Sequence, residues 1–419
     1  MGEVGELSDK LWAGEVPIEE HFPFKEHEAI ELIQDDILFY YGFSNVTAFN
    51  TGEGLVLVDV GSHHNQQRVH DEIRNWTSAP LHTAIYTHGH IDHCFGVQLF
   101  AADAQSHREP PRVVAHANVV ERFRRYTISA GHNAHINAKQ WGKYYPWPTN
   151  YRFPDLTYHD RLMLSIGGMD FELHHGRGET DDATWVWVPS SGVLCTGDLF
   201  TWCAPNAGNP QKVQRYAADW AHALREMAAL DARVLAPGHG PLLYGESRIR
   251  QALTESALYL EDLLDQVITL MNRGASLDEV LQGVHFSENL HARPHLHPIY
   301  DHPEFIVRNI WRYYGGWYDQ DPAHLLPPGR TQLASEVVSL CGGLDVLSKR
   351  ARELALKGEM RLAAQLVEWA NAVAPSDPDI LNMRSEFFDS WAASRGDYMA
   401  RHILRAVARE SRVKADGDR

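Results

Sequence analysis

The stretch YTHGHIDHCFGV, residues 86–97, brings His88, His90, Asp92 and His93 within six positions at the end of the apolar run HTAIYTH. Imidazole and carboxylate groups so close together repel one another or need partners, unless a cation binds them all. A chain with this feature must fold so that a strand end delivers the four side chains to a common point. His88 and His90 alternate, so an extended segment puts them on one face. Asp92 and His93 follow after a turn begins and can address a neighbouring position. The spacing suits two adjacent metal ions sharing one loop better than a single tetrahedral site.

The surroundings predict what kind of fold does this. GLVLVDVG is a β-branched run that stops at Asp59 and Gly61, as a buried strand entering a loop would. NQQRVHDEIRNW has helical spacing, and RVVAH is a further short strand. DRLMLSIGGMDFELHHGRG predicts a hairpin turning at Gly167 and Gly168, and ATWVWVPSSGVLCTGD a second hairpin. ARVLAPGHG ends the series. Short strands alternating with helices over this region predict an α/β layered domain. Residues 120–155, rich in aromatics, Asn and Pro, have no clean period and are expected to form an excursion over the rim. After Tyr244 the texture turns helical. RIRQALTESALYLEDLLDQVITLMNRG has apolar spacing near 3.6, and Ser276 is an N-cap candidate before ASLDEVLQGV. Near the end, KRARELALKGEMRLAAQLVEWANAVAP has the small-residue pattern of a helix-turn-helix repeat closed by Pro375. The expected division is an N-terminal extension at 1–27, a catalytic domain at 28–245 and an all-α helical domain at 246–419.

Further ligand candidates sit at the other strand ends: Glu179 in GRGETDDA, Asp198 in CTGDLF and His239 in APGHG. Asp198 could bridge two ions, with Glu179 completing the first site and His239 the second. His132 and Tyr144, in the aromatic excursion, are candidates for contact with substrate. The histidines of HARPHLHPIYDH, with prolines among them and no acidic anchor, read as a structural loop. Cys94 reads as a small buried residue, and Asp181 and Asp182 as outer supports or caps.

Bulk composition narrows the function classes. The net charge of −17 argues against nucleic-acid and anionic-membrane partners. An anionic substrate therefore needs a local positive site, which a metal centre supplies. The four cysteines form no CxxC pair, the amino terminus has no apolar signal core, and no apolar run approaches the ~18 residues of a membrane span. The expectation is a soluble cytoplasmic protein.

THGHIDH followed by TGD and APGHG resembles the metallo-β-lactamase superfamily, which implies an αββα sandwich over one or two metals, usually zinc. In most of that superfamily a histidine stands in a PGHT turn; here the turn reads RGET, with Glu179 in its place. That glutamate, the nineteen-residue interval to Asp198 and the helical tail make the chain similar to the type III alkyl sulfatases. PEFIVRNIWRYYGGWYDQDPAHLLPP resembles the start of that family's dimerisation domain, with Arg308, Gly316, Trp317, Asp319 and Pro322 matching. The chain departs from the family in three places. The bridging carboxylate is Asp198 rather than Glu. Phe305 stands where histidine is common. Asn206 keeps its place in the head-group segment, but Gln211 stands where the family's sulfate-holding arginine belongs, leaving Lys212 or Arg215 as substitutes. The resemblance implies a homodimeric hydrolase with two divalent ions, Zn2+ or else Mn2+ or Fe, in which Asp92 and Asp198 orient the attacking water. The expected substrate is a small anionic ester with an apolar chain, an alkyl sulfate first. A lactone, carboxyl ester or phosphoester is the alternative on the same fold, and diiron redox or dioxygenase chemistry the alternative of another class.

Overall fold

A computed structural model describes residues 2–103 and 110–417. Helix α1 (Glu3–Ala13) precedes two sheets. The first sheet runs, in spatial order, β1 (Ala29–Gln34), β2 (Ile37–Tyr41), β3 (Val46–Thr51), β4 (Gly54–Val58), β5 (Leu81–Ile85), β6 (Arg112–His116) and β7 (Leu156–Tyr158). It is antiparallel as far as β4 and parallel beyond. The second holds β8 (Arg161–Ile166), β9 (Met169–His175), β10 (Thr184–Val188), β11 (Val193–Gly197), β12 (Val234–Pro237) and β13 (Leu243–Tyr244), again neighbours in order. Only β11 and β12 run parallel in it.

Strand β2 reads ILFYY and β4 GLVLV, and every residue of both is buried. Successive side chains of a strand leave on opposite faces, so a strand apolar throughout must be covered on both. Ile37, Phe39, Tyr41, Val56 and Val58 meet Phe171, Leu173, Val186 and Val188 of the second sheet. Leu38, Tyr40, Leu55 and Leu57 face the other way. They join Val69 and Ile73 of α2 (Gln66–Trp76), Phe100 of α3 (Val97–Asp103) and Phe123 of α4 (Asn118–Ile128). After α5 (Ala130–Trp141), α6 (Ala217–Ala228) and α7 (Glu246–Asn272) pack together beside β12 and β13. The layers are helix, sheet, sheet, helix. The β8–β9 hairpin pairs Ile166 with Met169 across Gly167 and Gly168, whose φ of 56° and 88° suits the two-residue turn the sequence predicts.

The chain divides into two compact units, residues 1–131 with 147–316 and residues 132–146 with 317–419. The first unit keeps α8 (Leu277–Gly283), α9 (Glu288–His291) and α10 (Pro303–Gly315). Ser276 caps α8 in a reciprocal capping box with Glu279, as the sequence suggests. The second unit holds α11 (Pro322–Leu325), α12 (Arg330–Leu340), α13 (Leu344–Leu356), α14 (Met360–Val373), α15 (Pro378–Ala393) and α16 (Tyr398–Ala415). Its core sets small Ala351, Ala363 and Ala370 among Leu347, Val367, Phe387 and Phe388, so the helices can lie close together. No helix among the described residues is long and apolar enough to cross a membrane.

One segment departs from expectation. Residues 118–141 are helical rather than an irregular excursion, and only the stretch beyond them lacks regular structure. The buried stripe of α4 is Val119, Arg122 and Phe123, and a charged residue inside the stripe hides its period. Arg122 is 2% exposed. Its Nε donates to Asp182 Oδ2 at 2.7 Å, its Nη2 donates to Asp181, and the same Asp182 oxygen accepts the Gly89 N–H at 3.1 Å. A helix is thereby tied to the histidine loop. Arg122→Met leaves the buried Asp182 without its counter-charge and is expected to lower stability by about 3–5 kcal/mol. A denaturant midpoint equal to that of the parent would refute the assignment.

Candidate metal centre

The seven candidate side chains converge at one edge of the sandwich, in two groups. His88, His90, Glu179 and Asp198 form the first and Asp92, His93 and His239 the second, with the ligand atoms of each within 4.8 Å of one another. In the first, His88 Nε2 lies 2.9 Å from His90 Nδ1, and His90 Nδ1 lies 3.3 Å from Glu179 Oε2. In the second, Asp92 Oδ2 lies 3.4 Å from His93 Nε2 and 3.3 Å from His239 Nε2. Asp198 stands between them. Its Oδ1 is 3.5 Å from His93 Nε2, and its Oδ2 is 3.6 Å from His88 Nε2 and 3.4 Å from His239 Nε2. A tetrahedron with bonds of 2.0–2.1 Å has edges of about 3.3 Å, so these separations fit a cation at the centre of each group.

The donor set fits a metal in a second way. His93 Nε2, Glu179 Oε2 and Asp198 Oδ1 are buried and have no hydrogen-bond partner, a costly arrangement unless an ion takes their lone pairs. The tautomers agree. Thr87 Oγ1 donates to Asp59 Oδ2 at 2.8 Å, so the hydroxyl oxygen accepts from His88 Nδ1 at 3.0 Å. His93 Nδ1 donates to Asp59 Oδ2 at 2.8 Å and His239 Nδ1 to the Phe43 carbonyl at 2.5 Å. In their neutral form all three rings therefore turn the lone pair of Nε2 towards the pocket.

Electrostatics point the same way. Burial opposes a charge on His93 and His239, but Asp92 and Asp198 outweigh it. His93 is held well above the ordinary imidazole range and His239 at about 9. Burial also opposes ionising Glu179, yet Arg215 and His90 hold its carboxyl well below the usual range. His88 goes the other way, pushed well down by burial and then by His93 and His90. Without a metal the pocket balances its carboxylates with protons on the second group of ligands, and a cation entering there competes with them.

The backbone explains why these loops meet. Asn45 Nδ2 donates to the carbonyls of Pro237 and Gly240 at 2.9 and 2.8 Å, Asn45 N–H donates to the Gly238 carbonyl at 2.8 Å, and Ser44 Oγ donates to the Asp92 carbonyl. A β-carbon at Gly238 would lie 2.2 Å from Asp198 Oδ1, so only glycine lets the two loops approach. Asp59, Asn45, Arg122 and Phe24 escaped the sequence reading. Phe24, from the segment read as an extension, packs its ring 4.3 Å from that of His239. Asp59 has a sequence signal, an acid ending an apolar strand, but Arg122 and Phe24 have none.

The remaining candidates are dispersed. Asn206 and Arg215 are buried and both reach Glu179. Lys212 is near enough to feel Glu179, Asp92 and Asp301, but burial and the Arg215 charge bring its ammonium down to about 8. His132 and Tyr144 are exposed and belong to the second unit. Cys94 is buried and donates to the His90 carbonyl at 3.0 Å. In the HARPHLHPIYDH segment, His295 pairs with Glu255 at 3.0 Å and stacks on Trp12, and His302 caps α10.

The model of the metallo-beta-lactamase superfamily matches residues 40–239, and that of the alkyl sulfatase dimerisation domain residues 276–414. A linear primary-alkylsulfatase of Pseudomonas sp. (strain ATCC 19151) is 24% identical over 390 residues, 87% of this chain and 74% of that protein. An alkyl/aryl-sulfatase of Saccharomyces cerevisiae is 24% identical over 80% of this chain, which spans 56% of that relative. An (R)-specific secondary-alkylsulfatase of Pseudomonas sp. is 23% identical over 88% of this chain, which spans 60% of it. The solved stereoselective inverting sec-alkylsulfatase of Pseudomonas sp. superposes with a TM-score of 0.82 at 20% identity, covering 92% of this chain and 66% of that one. This likeness gives the fold: an αββα sandwich followed by a helical domain. The ligand groups and the superfamily together identify a divalent-metal site. The chain belongs to the metallo-beta-lactamase superfamily, in the branch that joins this domain to an alkyl sulfatase dimerisation domain.

Proposed function

We propose that the chain is a hydrolase of small alkyl sulfate esters that uses two divalent ions, zinc at both positions. His88, His90 and Glu179 hold the first ion, Asp92, His93 and His239 the second, and Asp198 is shared. The observation that carries this reading is Asp198, whose two oxygens lie within 3.4–3.6 Å of imidazoles from both groups. When bound, such ions lower the pKa of water from 15.7 to about 7 and offset charge on the departing group. Asp92 and Asp198 then offer the acceptors that orient the attacking water. Phe43, half-buried and edge-on to His239, provides an apolar flank for the alkyl chain. The relatives' names supply the substrate class. The helical domain supports a homodimer, and four free cysteines fit a reducing compartment, the cytoplasm.

With zinc loaded, alkyl sulfates are expected to be cleaved faster than matched phosphate, carboxyl and lactone esters. Asp198→Ala should lose more than the ~10–100-fold that outer partners cost and release metal. Equal turnover across the panel would refute the substrate class, and activity surviving chelation would refute the metal.

Lys212 is proposed to hold the anionic head group. It is charged below about 8, and a nearby dication shifts that midpoint lower still. The KM for an alkyl sulfate should therefore climb as pH rises through a midpoint at or below 8. Lys212→Met should raise KM about tenfold or more at neutral pH and flatten that dependence. A KM unchanged in the variant would exclude the role.

The second unit leaves Leu326, Leu340 and Leu356 between 86 and 90% exposed, as a surface awaiting a second copy would. Light scattering should return twice the chain mass, and a monomer at micromolar concentration would contradict the dimer.

A further inference from the structure

Among the carboxylates of the pocket, Glu179 has oxygens that face different environments. Oε2 points at His90 Nδ1, 3.3 Å away, and has no hydrogen-bond partner. Oε1 accepts a hydrogen bond from Asn206 Nδ2 at 2.9 Å and forms an ion pair with Arg215 Nη2 at 3.0 Å. Both donors are buried, Asn206 at 4% and Arg215 at 3% exposure. Arg215 Nη1 also donates to the backbone carbonyl of Asn206, so glutamate, asparagine and arginine close a triangle.

Helix α10 pins that triangle from behind. Asn309 Nδ2 donates to the Arg215 carbonyl at 2.8 Å and Asn309 Oδ1 accepts from the Arg215 N–H at 3.4 Å, while Gln214 Nε2 donates to the Asn309 carbonyl at 3.1 Å. Arg312 closes the lattice, donating to Gln214 Oε1 at 2.9 Å and Asn309 Oδ1 at 3.1 Å. The Arg215 guanidinium is fixed at its backbone, with Nη1 on the Asn206 carbonyl and Nη2 on Glu179, and the Asn206 NH2 donates to the same carboxylate, so both groups face the ligand.

We infer that Arg215 and Asn206 are positioning residues for Glu179, which restrict it to one coordinating oxygen at the first metal position, and that they are not part of the anion-binding surface. This rests on the dinuclear reading above. The planar fork of arginine suits the task because it engages two acceptors at fixed angles, which a lysine ammonium does not. Freed from Oε1, Glu179 can rotate or offer both oxygens, and the first metal position loses its definition while the second, built on Asp92, His93 and His239, keeps it. The two roles therefore leave different traces. A residue that binds the anion changes KM, whereas one that positions a ligand changes metal affinity at one site of two.

The test uses the full chain, stripped of metal and titrated with Zn2+ alone against a chromophoric chelator, followed by KM at saturating zinc. The parent is expected to bind two zinc ions. Arg215→Met and Asn206→Ala should bind one as the parent does and the other about 10–100-fold more weakly. KM for the ester the parent hydrolyses should stay within about twofold once zinc is in excess. Arg215→Lys should recover part of the lost affinity. Asn206→Ala, which removes a single side-chain amide, keeps the inference testable if Arg215→Met does not fold. Two zinc ions bound with parental affinity in these variants, together with a raised KM, would overturn this inference alone. A parent that binds no zinc would overturn the dinuclear reading and this inference with it.

Discussion

Three carboxylates and four imidazoles share one pocket, and most of them are out of reach of water. Such a group cannot stay uncompensated in a folded chain, because an isolated buried charge is among the costliest features a protein can carry. Two kinds of compensation meet here. Protons serve in the absence of metal, which is why the acids draw His93 and His239 so far upwards. Divalent cations serve better, because each satisfies several lone pairs at once. The unpartnered atoms of His93, Glu179 and Asp198 mark where those lone pairs are left.

The rest of the first unit can be understood as the frame that holds this charge still. The strands end on it and the helices cover their outer faces. His88, His93, His239 and Glu179 are each gripped from behind by a group that fixes the tautomer or rotamer. Asp59 is the most economical of these, since one carboxylate takes the Thr87 N–H, the Thr87 hydroxyl and His93 Nδ1. Asp59 itself sits at a φ of 59°, a backbone conformation unusual for a residue other than glycine. Strain of this kind persists where surrounding bonds over-determine it, and three hydrogen bonds to one side chain do so. Arg122 and Arg215 play matching parts, the first through Asp182, which also accepts the Gly89 N–H, the second through Glu179.

These outer contacts also separate ligand positioning from substrate binding. Asn206 and Arg215 looked, by their place in the chain, like residues for an anionic head group, yet both are turned inward onto Glu179. Lys212, between them in sequence, is close enough to feel Glu179, Asp92 and Asp301. The difference lies in geometry and not in residue type, since all three are good partners for an anion.

The linear chain by itself pointed to the layers and to the candidate metal ligands. Short, turn-bounded runs such as ILFYY and GLVLV read as strands covered on both faces, and glycine at 167 and 168 points to a tight hairpin. The candidate ligands were legible because each stands after the end of a strand, where local pattern and chemistry coincide. What only the tertiary structure decided is how distant residues divide the work. Arg122 and Asp182 are 60 positions apart, and Arg215 and Asn309 are 94. No local period records contacts over such separations. The same holds for α4, where a buried arginine interrupts the apolar stripe because its partner acids come from another loop. A sequence shows which side chains can bear charge; which of them neutralise one another depends on where the folded backbone brings them together.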